Sequence, residues 1–253
     1  MILAGILFAC SDNTNKNNDE KIIGKEAIEL VKYVDRSIGE KDPDCGASPE
    51  NCAEVIINFP EITGVPATLK GESLNADIQK AILNGSLDPE GEVEDVEKAC
   101  KKFINDFAEF KKEMQQEVAG WTINIDIKII NNDGNYFSLR IDENAYLGGA
   151  HPNQYTSFLN YNITTGEKIT LDMLIKDMDR LETVAEQKFR KAKDLSSNED
   201  LGEAGYFFDK GKFTLTENFG ISQGNLVLYY NSYDIAPYAL GPTLLELPLE
   251  TVL

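Results

Sequence analysis

The chain has 253 residues, 42% of them hydrophobic and 9% aromatic, with 43 acidic residues against 24 basic ones. That is enough apolar material for one large core or two modest ones, so we expect a globular protein rather than a disordered chain. The formal net charge of −19 repels nucleic acid phosphates and anionic lipid headgroups, which argues against a nucleic-acid partner. The same field attracts cationic proteins and divalent ions, although an acidic surface also serves solubility alone.

The N-terminal residues predict where the protein is located. Residues 1–10 indicate a lipoprotein signal peptide, because an apolar stretch ends in LFAC, which resembles a bacterial lipobox. Cys10 would carry the lipid, and the polar residues 11–25 would form a flexible tether. The apolar stretch is too short to span a bilayer, and a core strand is the other interpretation. We expect a bacterial cell-envelope protein, periplasmic or surface-exposed, that contacts the membrane through its lipid anchor only.

The other cysteines agree with an exported protein. Cys45 and Cys52 bracket a short, turn-rich segment, which favours a local disulfide in an oxidising compartment. Cys100 falls on an apolar stripe at helical spacing, which indicates a buried free thiol. With no Cys-x-x-Cys spacing and a single histidine, the sequence predicts neither a metal site nor a cofactor.

Residues 26–120 are predicted to form a smaller N-terminal α+β domain. Its first eleven residues hold too few apolar positions to assign an element. Three elements are predicted beyond them: a strand at 55–60 ended by a proline, a helix at 74–83, and a long helix at about 92–119.

Residues 121–253 are predicted to form the C-terminal α+β domain. Isoleucines alternate with other residues after Trp121, and an Asn-Asp-Gly-Asn turn follows them, which predicts a hairpin. The fold class is therefore α+β, an antiparallel sheet with segregated helices. The predicted strands are 122–130, 136–146, 154–163, 212–215, 225–231 and 243–247, and the predicted helix is 171–193.

The only histidine, His151, lies in a stiff loop. Gly148 and Gly149 allow a bend and a close backbone approach, while Pro152 keeps the residue before it out of helical conformations. Two interpretations stay open. Either the imidazole forms part of the wall of a binding surface, or it donates to a carbonyl and pins the loop onto the sheet.

A tyrosine-rich segment is the second candidate for a site. Tyrosines provide large contact area with a polar tip, which suits recognition surfaces. We predict that Tyr233 and Tyr238 are exposed, with Asp234 supplying charge and Pro237 interrupting the segment. The predicted binding residues are thus these four together with His151, and no catalytic residue is predicted.

Three motifs carry a resemblance to a known family: YLGGAHP at 146–152, NITTGEKITL at 162–171 and YNSYDIAPYALG at 230–241. In this order they resemble the bacterial extracellular domain that the lysozyme-sensing anti-sigma factor RsiV shares with the non-catalytic region of the peptidoglycan deacetylase PdaC. The similarity covers residues 121–253, and INFPEITG at 57–64 resembles the smaller domain that usually precedes it. Neither a sigma-binding segment nor a deacetylase domain is present in this sequence, so neither activity transfers whole.

Three classes of function follow. The resemblance implies a lipid-anchored binding protein that recognises a cationic, lysozyme-like cell-wall hydrolase or a wall glycan. An alternative is an enzyme that acts on glycans through paired carboxylates such as Asp142 and Glu143, but neighbours on one strand point to opposite faces. The third class is a structural envelope lipoprotein.

Overall fold

The structure, a computed structural model, describes residues 29–43, 45, 49–114 and 117–253. The predicted signal peptide, its Cys10 and the tether lie outside these ranges. In the described part, no helix combines the length and the apolar character needed to cross a bilayer.

Within the described residues, eight strands form two sheets, and five α-helices accompany them. The larger sheet contains β1 Lys32–Lys41, β2 Glu54–Gly64, β3 Thr122–Asn132, β4 Tyr136–Tyr146 and β5 Asn153–Asn162, in that order. The smaller sheet contains β6 Phe219–Ser222, β7 Asn225–Tyr230 and β8 Thr243–Pro248. The helices are α1 Gly71–Leu83, α2 Val96–Met114, α3 Leu171–Leu174, α4 Met178–Ala192 and α5 Leu249–Val252.

The α+β class is confirmed, with one difference in strand direction. All neighbouring strands are antiparallel except β2 and β3, which pair in parallel. A parallel pair needs a long crossover, and α1 and α2 supply it. The larger sheet therefore runs across residue 120, and the division there into two domains stays a prediction.

The part of the chain that the structure describes contains two hydrophobic cores. The first runs from Val31 to Ile163 and packs α1 and α2 against one face of the larger sheet, with Phe107 fully buried. The second runs from Ile169 to Val252 and packs α4 against the smaller sheet, with Phe189 at its centre. The smaller sheet contacts the other face of β3, β4 and β5 through β6.

Several elements differ from the sequence prediction. β1 is an edge strand with mostly exposed side chains, so it lacks a readable apolar pattern. β2 continues past Pro60, where the sequence predicts its end. Its pairing with β3 stops at Asn58, so the N–H that proline lacks is not needed for a hydrogen bond to β3. The strand predicted at 212–215 does not form, and the sequence did not predict the short strand β6.

The helix boundaries also differ, for reasons of capping. α2 begins four residues later than predicted, since Asp95 accepts a hydrogen bond from the backbone N–H of Lys98 at 2.9 Å. The predicted helix at 171–193 is broken into α3 and α4, and Asp177 caps the second piece by accepting from the N–H of Arg180.

The predicted disulfide joins Cys45 to Cys52, with their Cα atoms 5.4 Å apart. Gly120 lies against this bridge, because a Cβ placed on it would stand 2.1 Å from the carbonyl oxygen of Cys52. Its N–H donates to the carbonyl of Glu50 at 2.8 Å. The chain just before β3 is thereby fastened to the disulfide loop.

Cys100 is free and buried, as predicted, and should be unreactive in the folded protein. Burial raises the pKa of its thiol to about 11, so the neutral thiol predominates at ordinary pH. In a Cys10→Ser variant we expect no labelling by a thiol reagent until the protein is denatured. Rapid labelling of the folded variant would contradict this.

Candidate binding surface

The loop that carries His151 joins β4 to β5 and rests on the only tryptophan. Gly148 has φ = +85°, a conformation that favours glycine, and a Cβ there would lie 3.7 Å from Nε1 of Trp121. The indole in turn packs against three phenylalanine rings of α2, with centroids 5.1 to 5.8 Å away. The base of the loop thus contacts the first core through Trp121, and the tip of the loop is exposed.

Three aromatic rings meet at the tip of this loop. His151 stacks on Tyr238 with ring centroids 3.8 Å apart and an interplanar angle of 13°. The hydroxyl of Tyr233 lies 3.4 Å from Nε2 of His151, and its ring centroid lies 5.8 Å from that of Tyr238. We call His151, Tyr233 and Tyr238 the aromatic surface.

The imidazole also contacts a carbonyl, but this carbonyl belongs to the next residue of the same loop rather than to the sheet. Its Nδ1 lies 3.1 Å from the carbonyl oxygen of Pro152, to which the hydroxyl of Tyr238 also donates at 3.3 Å. A neutral ring protonated on Nδ1 satisfies both of its contacts, since Nε2 then accepts from Tyr233. The ring contacts its own loop and the tyrosine segment and is exposed to solvent, and its part in a binding surface stays a prediction.

The segment that carries the tyrosines is held by a buried asparagine. Oδ1 of Asn231 accepts from the N–H of Thr156 at 2.7 Å, and its Nδ2 donates to the carbonyl of the same residue at 3.1 Å. Its own N–H donates to Oδ2 of Asp234 at 2.6 Å. Asp234 therefore closes a turn beside the surface as well as carrying charge.

Tyr233 sits inside that turn in a strained backbone conformation. Its φ is +73°, and its side chain is 57% exposed. An L-residue in this region costs on the order of 1 to 2 kcal/mol, a cost seen most often at functional positions. Pro237 is exposed and precedes the short turn Tyr238–Leu240, whose first residue stacks on His151.

Sequence reasoning missed the asparagines that hold this site. Asn160 joins β5 to β6 as Asn231 joins the tyrosine segment to β5. Its Nδ2 donates to the carbonyl of Phe219, and its Oδ1 accepts from the N–H of Ile221. Asn218 adds a donor to the carbonyl of Thr156 at 2.7 Å. A side-chain amide offers one donor and one acceptor side by side, so it can replace a missing backbone partner at the edge of β5. Nothing in the sequence marks these asparagines as different from turn residues.

The carboxylates considered for catalysis point away from each other. Asp142 bonds to Arg140 at 2.9 Å and accepts from Thr156, on the face toward the smaller sheet. Glu143 accepts from the N–H of Ser86 at 3.1 Å, on the face toward α1. In the described ranges, no group of three or more His, Cys, Asp or Glu side chains is placed to hold a metal ion.

Two family models match this chain. The model described as deacetylase PdaC matches residues 47–154. The model described as a protein of unknown function, DUF3298, matches residues 169–250. The histidine loop ends the first match, and the tyrosine segment lies within the second, so the aromatic surface joins the two matched regions.

A relative and two solved structures agree with these matches. The peptidoglycan-N-acetylmuramic acid deacetylase PdaC of Bacillus subtilis (strain 168) is 25% identical over 158 residues, which cover 58% of this chain and 33% of that protein. A DUF3298-family structure from Bacteroides fragilis has a TM-score of 0.69 at 23% identity and covers 89% of this chain and 93% of its own. One from Pseudomonas aeruginosa has a TM-score of 0.62 at 18% identity, with coverages of 87% and 92%. These structures share the fold. The predicted resemblance is thus confirmed: a PdaC-type region and a DUF3298 region match consecutive parts of this chain.

Proposed function

We propose that this protein is a lipid-anchored binding module of the bacterial cell envelope, and that its aromatic surface recognises a cationic cell-wall hydrolase. The observation that supports this is the meeting of His151, Tyr233 and Tyr238 at one exposed place, although His151 and Tyr233 are 82 residues apart in sequence. Exposed aromatic rings on a rigid frame are typical of interface residues that contribute most of a binding energy. The lipid anchor is supported by the sequence around Cys10 alone.

Charge favours a cationic protein as the partner. The net charge of −19 would accelerate the encounter with a basic protein, and Asp234 adds a carboxylate beside the aromatic surface. Such attraction is screened beyond about 8 Å at physiological ionic strength, so association should slow as salt is added. The Bacillus subtilis relative is named as a deacetylase of peptidoglycan, the polymer on which wall hydrolases also act.

A wall glycan is the second candidate ligand of this surface. The face of the stacked pair of His151 and Tyr238 is flat, with the rings 13° from parallel, and a sugar ring could lie on it. A glycan without charge would bind with little dependence on salt. Salt dependence therefore separates the two candidates.

Tyr238→Ala should weaken binding of a cationic wall hydrolase by at least about tenfold, or ~1.4 kcal/mol, without unfolding the protein. The ring is half-buried rather than exposed as predicted, because His151 stacks on it, and it belongs to neither core. Calorimetry against a panel of cationic hydrolases at two salt concentrations measures this effect.

Tyr33→Ala is the control, because Tyr33 is an exposed tyrosine on β1, at the opposite edge of the larger sheet from β5. It should bind as the unmodified chain does. Equal weakening by both substitutions, or no salt-sensitive association with any hydrolase of the panel, would overturn the proposal.

A further inference from the structure

A cleft lies on the face of β4 and β5 that is opposite the smaller sheet. It has a volume of about 480 Å³, within the range of small-ligand sites. One wall is formed by the C-terminal half of α1 and the turn that follows it, and the other by β4 and β5. We call it the α1–β5 cleft. It uses none of the residues of the aromatic surface.

The wall on β5 presents an aromatic ring to solvent. Tyr155 is 51% exposed, although Leu159 and Tyr161, farther along the same face of β5, pack into the first core. The difference arises because α1 covers the later part of this face and leaves the beginning of the strand open. A phenol ring left open at the wall of a cleft can stack against the apolar face of a ligand.

The carboxylates of the cleft are held in fixed positions. Glu143 accepts hydrogen bonds from both the backbone N–H and the hydroxyl of Ser86. Gly85 is needed for this approach, since a Cβ on it would lie 1.8 Å from a carboxylate oxygen of Glu143. Asp77 accepts from the hydroxyl of Tyr161 at 2.6 Å and lies 3.5 Å from Nζ of Lys168. Each carboxylate keeps further lone pairs with which to accept from a ligand.

The ammonium groups make this cleft unusual for so acidic a chain. Lys80 and Lys168 balance the two carboxylates, whereas the chain as a whole has 43 acidic residues and 24 basic ones. Lys168 is paired with Asp77. Lys80 forms no salt bridge with any described residue, so its charge is available to an anion.

We propose that the α1–β5 cleft binds a short oligosaccharide that carries a carboxylate. The apolar face of a sugar ring would stack on Tyr155, its hydroxyls would donate to Glu143 and Asp77, and its carboxylate would pair with Lys80. A sugar acid offers all three features in one molecule. This assignment does not depend on the hydrolase-binding role of the aromatic surface.

The test is an NMR titration of the amide-labelled chain with two matched disaccharides. The first joins N-acetylglucosamine to N-acetylmuramic acid and carries one lactyl carboxylate, and the second is diacetylchitobiose, which lacks it. We expect shifts at residues 77–86 and 155–157, with the acidic sugar bound about threefold more tightly, as an exposed ion pair allows.

Two variants separate the contributions. Tyr155→Ala should weaken both sugars by about tenfold. Lys80→Gln should abolish only the preference for the acidic sugar. Tyr33→Ala, which removes an exposed tyrosine on β1 outside the cleft, is the control and should bind both sugars unchanged.

Three outcomes would overturn the assignment: no saturable shifts, shifts centred on His151 and Tyr238 instead, or an acidic preference that survives Lys80→Gln. Because Tyr155 and Lys80 are exposed, both variants should keep the dispersed spectrum of the folded chain. A failure of hydrolase binding would leave every one of these results unchanged.

Discussion

Replacing Gly166 by alanine should lower the free energy of unfolding by ~2–5 kcal/mol, because backbone strain and a steric clash add at this position. Gly166 has φ = +76°, and a Cβ there would lie 1.9 Å from the carbonyl oxygen of Thr68. The obstacle is backbone, so a rotamer change cannot relieve it. Urea denaturation of the variant and the unmodified chain measures the difference.

Gly224→Ala is the matched control for the strain alone. Its φ is +80°, close to that of Gly166, but nothing lies within 4 Å of a Cβ placed there. We expect it to cost only about 1 to 2 kcal/mol. Equal losses in the two variants would mean that the contact with Thr68 is not tight in solution.

The role of Gly166 explains one of the motifs that resemble the family. The turn after β5 is built by Asn162, whose side chain accepts from the N–H groups of Thr164 and Thr165. The hydroxyl of Thr68 donates to the carbonyl of Ile163 at the same place. The turn thereby fixes the last strand of the larger sheet against the loop before α1, just ahead of the second core. The geometry of this turn is a structural requirement of this chain rather than a ligand site.

The parts of the fold that follow from local chemistry were predictable. The alternating isoleucines of β3 face the first core, and the predicted Asn-Asp-Gly-Asn turn forms with Gly134 at φ = +88°. Asp133 closes it by accepting from the N–H groups of Asn135 and Tyr136. β4 has the predicted ends, because each of its boundaries is a turn with its own sequence signal.

The parts that depend on distant partners were not predictable. Gly220 in β6 allows close approach to Phe158, since a Cβ there would lie 2.5 Å from that ring, but a glycine in so short a strand is not read as a strand from sequence. Phe213 is buried in the second core from an irregular segment, although its neighbours were predicted to form a strand. Apolar runs of this length do not distinguish a strand from a buried loop.

The candidate site also has parts that the sequence predicts and parts that it does not. Alternation along β7 requires Tyr229 and Tyr230 to face opposite sides, and both are buried there, against Phe158 and Phe213 respectively. The exposure of Tyr233 was predictable, because it lies beyond the end of the strand. The stacking of His151 on Tyr238 was not, since it depends on Asn231 holding one segment against the edge of the other.

Asn231→Ala should therefore dismantle the aromatic surface without removing any of its rings. The carbonyl of Thr156 would keep its bond from Asn218, but its N–H would lose the acceptor that Asn231 provides, at a cost of about 1–3 kcal/mol. Released from β5, the segment with Tyr233 and Tyr238 would no longer face His151. We expect hydrolase binding to fall further than in Tyr238→Ala, because two rings are displaced rather than one.

The single histidine of the chain gives a readout that does not depend on any ligand. Because the imidazole of His151 stacks on Tyr238 with ring centroids 3.8 Å apart, the ring current of Tyr238 should strongly shift one of the imidazole proton resonances in the NMR spectrum. That shift should collapse in Asn231→Ala and persist in Asn160→Ala, which removes an equally buried asparagine with the same pair of backbone bonds, but to β6. Comparable losses of stability in the two variants, with the shift and the binding lost only in the first, would identify Asn231 as the residue that positions the surface. A shift that survives in both, or that vanishes in both, would show that the rings are held together by something other than this asparagine.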